Sequence, residues 1–380
     1  MKRSTERILT THAGSLARPP DLLEMILAKE TGQPYDPEVF AERVHTAVSE
    51  VVGKQIDSGV DVVSDGEQGK PGFANYVGDR LSGIVTREGA RPRVWRDREE
   101  FPEFQPPEAG TVNTRRLACT GPLGWKDKAA VQVDIDNFRE ALRGVQHTEA
   151  FIPAVSPGTL AQNVINDYYE DERGFLFAVA DVMKEEYQAI VEAGFLLQID
   201  SPDLAMGLNV QYPDKTLEEY REIIGVRVEA LNHALSGIPR EQVRHHICWG
   251  NAEAPHHRDV ELKGIIDVLL RVNAGAIYVE GANPRHGHEW KVFRDVELPD
   301  NMLVIAGVID TKTNIIEHPE LVADRIENYA SVVGRENVIA GTDCGFGTSA
   351  DRTRVVPSIS WAKLKSMAEG ARLATERLWG

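Results

Sequence analysis

Short apolar runs rich in β-branched residues recur along this chain, each closing on a polar or glycine-bearing segment. They are Ile8 to Thr11, Val60 to Ser64, Phe151 to Val155, Phe195 to Ile199, Val243 to Ile247, Ala276 to Val279, Met302 to Ala306 and Val338 to Ala340. Runs of this length and composition predict short, largely buried strands. Between most of them the apolar period becomes helical. Asp171 to Ala193 carries Phe175, Phe177, Val179, Val182, Met183, Tyr187, Ile190 and Val191 near helical spacing, and Leu217 to Leu235 and Pro319 to Val333 read the same way. Pro19 to Gly53 predicts outer helices and Ser360 to Leu378 a closing one. Eight strands alternating with helices predict a single (β/α)8 TIM barrel, with residues 1–380 as one catalytic domain.

One interval breaks the rhythm. More than eighty residues separate the second and third predicted strands, including Arg87 to Glu108, rich in Pro, Arg and Glu, and the run Thr111 to Leu117. A structureless loop of that length is rare, so residues 85–135 are expected to form an inserted excursion with short strands of its own. It is placed to serve as a lid, an oligomer contact or passive surface.

Composition narrows the class of partner. The formal charge of −17, from 42 Lys+Arg against 59 Asp+Glu, argues against a nucleic-acid or anionic-membrane surface. Three cysteines, Cys119, Cys248 and Cys344, are too few for a disulfide framework and suit a reducing compartment. The first residues lack the apolar core of a signal peptide, and no run reaches the roughly 20 apolar residues that span a bilayer. The expectation is a soluble, cytoplasmic protein.

The candidate chemistry lies at the strand ends, where barrels of this class keep their catalytic groups. His246 and Cys248 are two apart at the end of the fifth predicted strand and share a face, whereas His245 points the other way. Glu280 follows the sixth strand, and Cys344, in Thr342-Asp343-Cys344-Gly345, follows the eighth. Two thiolates, an imidazole and a carboxylate make a zinc-ligand set. A thiol substrate joining the metal, by displacing the weakest ligand, Glu280, or enlarging the shell, would be held as thiolate. Three ligand negative charges against two positive ones leave that sulfur electron-rich, as a nucleophile toward carbon requires.

These residues carry a resemblance. Thr10-Thr11-His12-Ala13-Gly14-Ser15, Asp65-Gly66-Glu67, Gln198-Ile199-Asp200-Ser201-Pro202, His246-Ile247-Cys248-Trp249-Gly250-Asn251, Val279-Glu280 and Asp343-Cys344-Gly345 recur in order over roughly residues 8 to 350. The chain resembles the catalytic half of the cobalamin-independent methionine synthase family, in a short form with the catalytic barrel alone. The resemblance implies zinc-dependent methyl transfer to a small thiol, homocysteine or an analogue, with the zinc-bound thiolate as nucleophile. Methyltetrahydrofolate or methylcobalamin is the implied donor, the latter with a corrinoid protein as partner; a homo-oligomer is compatible with it. It assigns zinc to His246, Cys248, Glu280 and Cys344, the amino acid's carboxylate to Ser15, and its ammonium to Glu67 and Asp200.

The chain departs from the family pattern beyond the missing second barrel. Asp310-Thr311-Lys312 stands where the family has Asp-x-His, which puts Lys312, with Asp310, in place of the proton-donating histidine. Asp200-Ser201-Pro202 replaces Asp-Glu-Pro. The predicted mouth also carries His12, Arg18, Trp249, Asn251 and Arg285 as candidate substrate contacts, Arg285 with its flanking histidines as a match for an anionic tail, further groups at His256, His257, His286 and His288, and Tyr168-Tyr169 on the donor side. On the same scaffold, the related epoxyalkane:coenzyme M transferases suggest an alternative in which coenzyme M opens an epoxide; a sulfonate then needs cations where an amino acid needs carboxylates. A zinc hydrolase is disfavoured by two thiolates, and a non-catalytic, zinc-stabilised barrel predicts unfolding on metal removal.

Overall fold

In the computed structural model, which describes residues 1–87, 95–104, 116–352 and 354–380, each of the eight expected runs forms a strand. In chain order the strands are β1 (Leu9–Thr10), β2 (Val62–Ser64), β3 (Leu81–Arg87), β4 (Arg116–Trp125), β5 (Glu149–Val155), β6 (Val164–Asn166), β7 (Leu196–Asp200), β8 (Val243–Ile247), β9 (Ala276–Val279), β10 (Leu303–Ile309) and β11 (Val338–Thr342). Eight of them form one parallel sheet in the order β1-β11-β10-β9-β8-β7-β5-β2. The ends meet where the Asp61 amide donates to the Thr10 carbonyl (3.1 Å) and the Thr11 hydroxyl to the Val62 carbonyl (3.0 Å). The result is a (β/α)8 barrel.

Outer helices cover it where the pattern placed them, with Glu172–Glu192, Leu217–Ala234 and Pro319–Val333 almost unchanged from the sequence reading. Thr216 and Glu219 cap the second of these reciprocally, which explains its sharp start. The N-terminal helical region is two helices, Pro20–Thr31 and Pro37–Asp57, because Gly32 ends the first in a left-handed conformation and Asp36 caps the second.

Strand alternation decides what the barrel encloses. Leu9, Tyr278, Leu303, Ile305 and Ile339 form one interior cluster and Val62, Phe151 and Leu196 another. Arg244 fills the space among them: its guanidinium lies 3.9 Å from the Phe151 ring centre and donates to Thr11 Oγ1 and the His12 carbonyl, each at 3.0 Å. On the same parity, two and four residues further along β8, stand His246 and Cys248. The arginine is therefore the floor of the site above it.

The long interval supplies β3 and β4, an antiparallel pair that β6, from beyond β5, extends to a small three-stranded sheet. Residues 88–94 and 105–115, which include half of the Arg87 to Glu108 segment and the start of the run from Thr111, lie outside the described residues. The turn Arg96–Glu99 between them is tied to the barrel: Asp97 Oδ2 accepts the His256 amide (3.0 Å) and Asn209 Oδ1 accepts the Asp97 amide (3.1 Å). Trp95 lies over Gly250, whose φ of +97° and the 2.7 Å left between a hypothetical Cβ and the ring both demand glycine. Among the described residues no helix is long and apolar enough to cross a membrane.

Arg244→Ala would open a cavity and leave two buried oxygens without their charged donor. The expected cost is about 3–5 kcal/mol, read as a lowered denaturant midpoint; a midpoint equal to the parent's would remove the arginine from the barrel's support.

Candidate active site

The end of β8 delivers His246 and Cys248 to the C-terminal mouth, and the turn after β11 delivers Cys344. Their ligand atoms all lie within 4.8 Å of one another and all three residues are buried. The two sulfurs are 3.9 Å apart. Two metal–sulfur bonds of about 2.3 Å at a tetrahedral angle would set them about 3.8 Å apart, so the pair fits a zinc-sized, thiophilic ion without movement. The sulfur–sulfur contact and burial push the Cys248 thiol well above its usual range, and a cation would reverse that.

Asp200, at the end of β7, orients the imidazole. Its Oδ1 takes the His246 Nδ1 (2.8 Å) and also accepts Gln198 Nε2 (2.9 Å). Burial opposes protonation of His246, but this carboxylate overrides it and raises the imidazole to about 9. The other ring nitrogen, Nε2, lies 3.3 Å from the Asp343 carbonyl, and a carboxylate on one ring nitrogen is how proteins orient a metal-binding histidine. His245 faces the other way, as strand geometry requires, and burial lowers it to about 3.

Asp343 makes the site's frame. Its Oδ1 accepts the amides of Gly281 (2.9 Å) and Ala282 (2.8 Å), and its Oδ2 accepts the amide (2.9 Å) and side-chain nitrogen (2.7 Å) of Asn283. One buried carboxylate thus ties the loop after β9 to the residue beside Cys344. Sequence reasoning singled out Asp343 only as a neighbour of the cysteine; that it must serve four N–H groups is visible only once the two loops are adjacent.

Glu280, the fourth expected ligand, stands at the same mouth but outside the three-residue group. Oε1 accepts the Trp249 amide (3.0 Å), while Oε2 accepts Asn283 Nδ2 (2.7 Å) and Lys312 Nζ (2.7 Å). Burial works against ionisation of Glu280, but the Lys312 charge outweighs it and holds the carboxyl low; the same pairing raises Lys312 despite its burial. Asp310 accepts the Lys312 amide (3.0 Å) and the Thr313 hydroxyl (2.8 Å), so it shapes the turn that carries the lysine.

A cavity of about 550 Å³ opens above the ligand set. It is lined by Ser15, Glu67, Asp200 and Asn251 as well as His246, Cys248 and Cys344. Ser15 Oγ lies where only a glycine at 345 leaves room, since a Cβ there would clash with it. Asn251 spends its amide on the Gly345 carbonyl (2.7 Å) and the Thr311 hydroxyl (3.0 Å), a bracing role. Glu67 differs: it is 1% exposed, its φ is +55°, and its Oε2 has no hydrogen-bond partner. Burial pushes it up to about 7 against the pull of Lys70.

Four expected substrate contacts do not line this cavity. His12 is buried and neutral, lowered to about 3 chiefly by burial, with Nε2 on Gln55 (2.7 Å) and Nδ1 accepting the Gly14 amide (3.1 Å). Arg18 bridges the Gly347 and Glu67 carbonyls, at 2.7 and 2.8 Å. Trp249 is fully buried, stacked 4.1 Å from His286 with its Nε1 on the Val260 carbonyl. Arg285 reaches the His257 carbonyl at 3.3 Å instead of the cavity. Each was drawn to the mouth by chain position, but the bonding partners sit in the loops' own interior. His256 and His286 likewise share the Asp259 carboxylate, and Tyr168 and Tyr169 lie off the cavity. The lining that sequence reasoning missed is Trp95 and Arg98 from the excursion and Arg352 and Arg354 from the loop after β11; nothing in their local pattern signals that convergence.

The chain is a (β/α)8 barrel whose C-terminal mouth holds a buried His/Cys/Cys group that could hold a metal ion. Residues 160–372 match the family model for the cobalamin-independent synthase catalytic domain. The chain is 26% identical over 373 residues to a methionine synthase of Saccharolobus solfataricus, covering 97% of this chain and 95% of that protein. It is 23% identical to a methionine synthase of Thermococcus kodakarensis, covering 97% and 94%. The structure of a B12-independent methionine synthase from Shewanella sp. W3-18-1 superposes with a TM-score of 0.75 at 21% identity, covering 98% of this chain and 99% of that one. A putative vitamin-B12 independent methionine synthase from Listeria monocytogenes gives 0.67 at 17%, with the same coverage. The chain belongs to the cobalamin-independent synthase family, through its catalytic domain. It is an enzyme of the methyltransferase class.

Glu67 yields a pH prediction. Its folded value near 7 lies above the ordinary 4.5, so the folded protein holds this proton more tightly and stability should fall as pH rises from about 4.5 to about 7. The contribution is about 3 kcal/mol. Glu67→Gln should flatten that stretch of a stability-versus-pH curve; an unchanged slope would refute the assignment.

Proposed function

We propose that this protein transfers a methyl group to a small thiol, homocysteine or an analogue, in a zinc-dependent reaction with methyltetrahydrofolate or a methylcorrinoid as donor. The observation that carries the reading is the meeting, in one cavity, of the His246/Cys248/Cys344 group with an unpartnered buried carboxylate at Glu67 beside Asp200. Zinc bound there would supply the positive charge that keeps an incoming thiol deprotonated.

The chain's own residues account for the rest. Glu67 gains a partner when an ammonium enters, ionising as it does so, and Asp200 offers the oxygen that carries no hydrogen bond among the described residues. Ser15 is the polar group for the amino acid's carboxylate. Lys312 keeps Glu280 engaged, which leaves the ligand set short of a closed shell and makes Glu280 an exchangeable fourth ligand. The transfer forms one S–C bond and breaks the bond between the methyl carbon and its donor. Lys312, positioned by Asp310 and within electrostatic reach of Cys344, is a cation that would neutralise charge on the departing group. Residues 1–380 act as one catalytic unit, and the 85–135 excursion contributes Trp95 and Arg98 to the cavity wall. Coenzyme M as acceptor is the second reading: its sulfonate needs cations, and Arg98, Arg352 and Arg354 line the same cavity, whereas Glu67 and Asp200 suit the ammonium of an amino acid.

Mass spectrometry of homocysteine incubated with the zinc-loaded protein and either donor should detect methionine. Cys248→Ser should abolish it and lower zinc affinity at least about tenfold, with the barrel's circular dichroism retained. Full activity in a folded, metal-stripped protein would end the zinc reading. Lys312→His should raise folate-dependent turnover where the lysine is the limiting departure from the family pattern; unaltered turnover would count against its catalytic role.

A further inference from the structure

The far wall of the cavity carries a second chemistry. Arg98, on the excursion, and Arg352 and Arg354, on the loop after β11, all line the same space as the sulfurs. Among the described residues none of the three forms an ion pair with a carboxylate, although Glu253 also lines the cavity. The Nε atoms of Arg98 and Arg352 are buried with no hydrogen-bond partner, and Arg98 stacks on the Trp95 ring at 4.7 Å. Burial lowers Arg98 and Arg354 and the neighbouring arginines add to it, against the opposite pull of Asp97 on Arg98 and of Cys344 and Glu253 on Arg354. Three half-buried guanidiniums that repel one another, two of them with an unused buried donor, are costly unless an anion joins them.

The cavity also exceeds its first occupant. Homocysteine has eight non-hydrogen atoms, a small part of about 550 Å³, and its polar groups are accounted for by Ser15, Glu67 and Asp200. We propose that Arg98, Arg352 and Arg354 form an anion-recognition subsite that takes the carboxylate or phosphate end of the methyl donor, with the donor's transferable carbon turned toward Cys248 and Cys344. The inference rests on the transferase reading for the identity of its occupant as a donor. It deepens that reading by giving the cavity two electrostatic ends, acidic around the thiol's amino group and cationic around the donor's tail. A neutral or cationic donor would be rejected at this wall, while one with a fork-matching anion would be held bidentately.

The test needs neither turnover nor metal. Calorimetric titration of the full-length protein with inorganic phosphate, and separately with glutarate, should give saturable one-site binding. Arg352→Gln combined with Arg354→Gln should weaken it about tenfold or more, and Arg98→Gln severalfold. Tighter phosphate binding identifies a phosphate-bearing donor and tighter glutarate binding a carboxylate-bearing one. Phenylglyoxal labelling of the unsubstituted protein, mapped by mass spectrometry, provides a check free of folding effects: phosphate or glutarate should protect these three arginines. Absence of saturable binding by both probes, binding undiminished in the variants, or labelling that neither anion slows would overturn the subsite. Homocysteine binding, titrated separately, reports on the transferase reading; a chain that binds phosphate but no thiol would defeat that reading and leave the anion site standing.

Discussion

Four N–H groups on one carboxylate hold this site together. Asp343 is fully buried, and a buried ionised carboxylate is tolerable only when its oxygens are satisfied. Gly281, Ala282 and Asn283 satisfy it, and in doing so they fix the loop after β9 against the turn that presents Cys344. Asn283 then carries the constraint onward, because the same side-chain nitrogen that meets Asp343 also meets Glu280. A methyl group in place of the Gly307 hydrogen would press on Asp343 Oδ1 at 2.3 Å, so even the neighbouring strand β10 is shaped around this one group. The 3.9 Å separation of the sulfurs is a consequence of that frame, since the two cysteines are 96 residues apart in the chain.

The floor is set by a different charge. Arg244 occupies the barrel interior where most strands contribute aliphatic or aromatic side chains, and its donors serve Thr11 and the His12 carbonyl at the first strand. Because β8 alternates, Arg244, His246 and Cys248 share one face, so the residue that closes the barrel from below and the residues that act above it are locked to one register. A slip of one residue would send all three outward together.

Strand parity is also why the fold and the meeting of His246, Cys248 and Cys344 were legible in the sequence. Period-two alternation fixes His246 over His245 before any coordinates are known, and the eight apolar runs fix which ends share a mouth. Loop residues obey no such period. Trp249 and Arg285 occupy the loops the pattern singled out, yet one is stacked on His286 and the other bonded to a backbone carbonyl, choices made by contacts between loops distant in sequence. The same limit hid Asp343's role and the convergence of Arg98 with Arg352 and Arg354, residues over 250 positions apart.

Lys312 shows how a single departure from the family pattern propagates. A histidine at that position is neutral over much of the physiological range, whereas a lysine paired with Glu280 is a permanent cation. The pairing draws the carboxylate's charge away from the sulfurs, so the chain trades a third fixed negative charge beside the sulfurs for a neutral ion pair. With less negative charge at the inner end, the cationic wall of Arg98, Arg352 and Arg354 weighs more in the cavity's field. Under the proposed transfer the two features act in one direction: they would favour a donor that arrives carrying negative charge and leaves carrying more of it, for which a nearby ammonium is a ready partner.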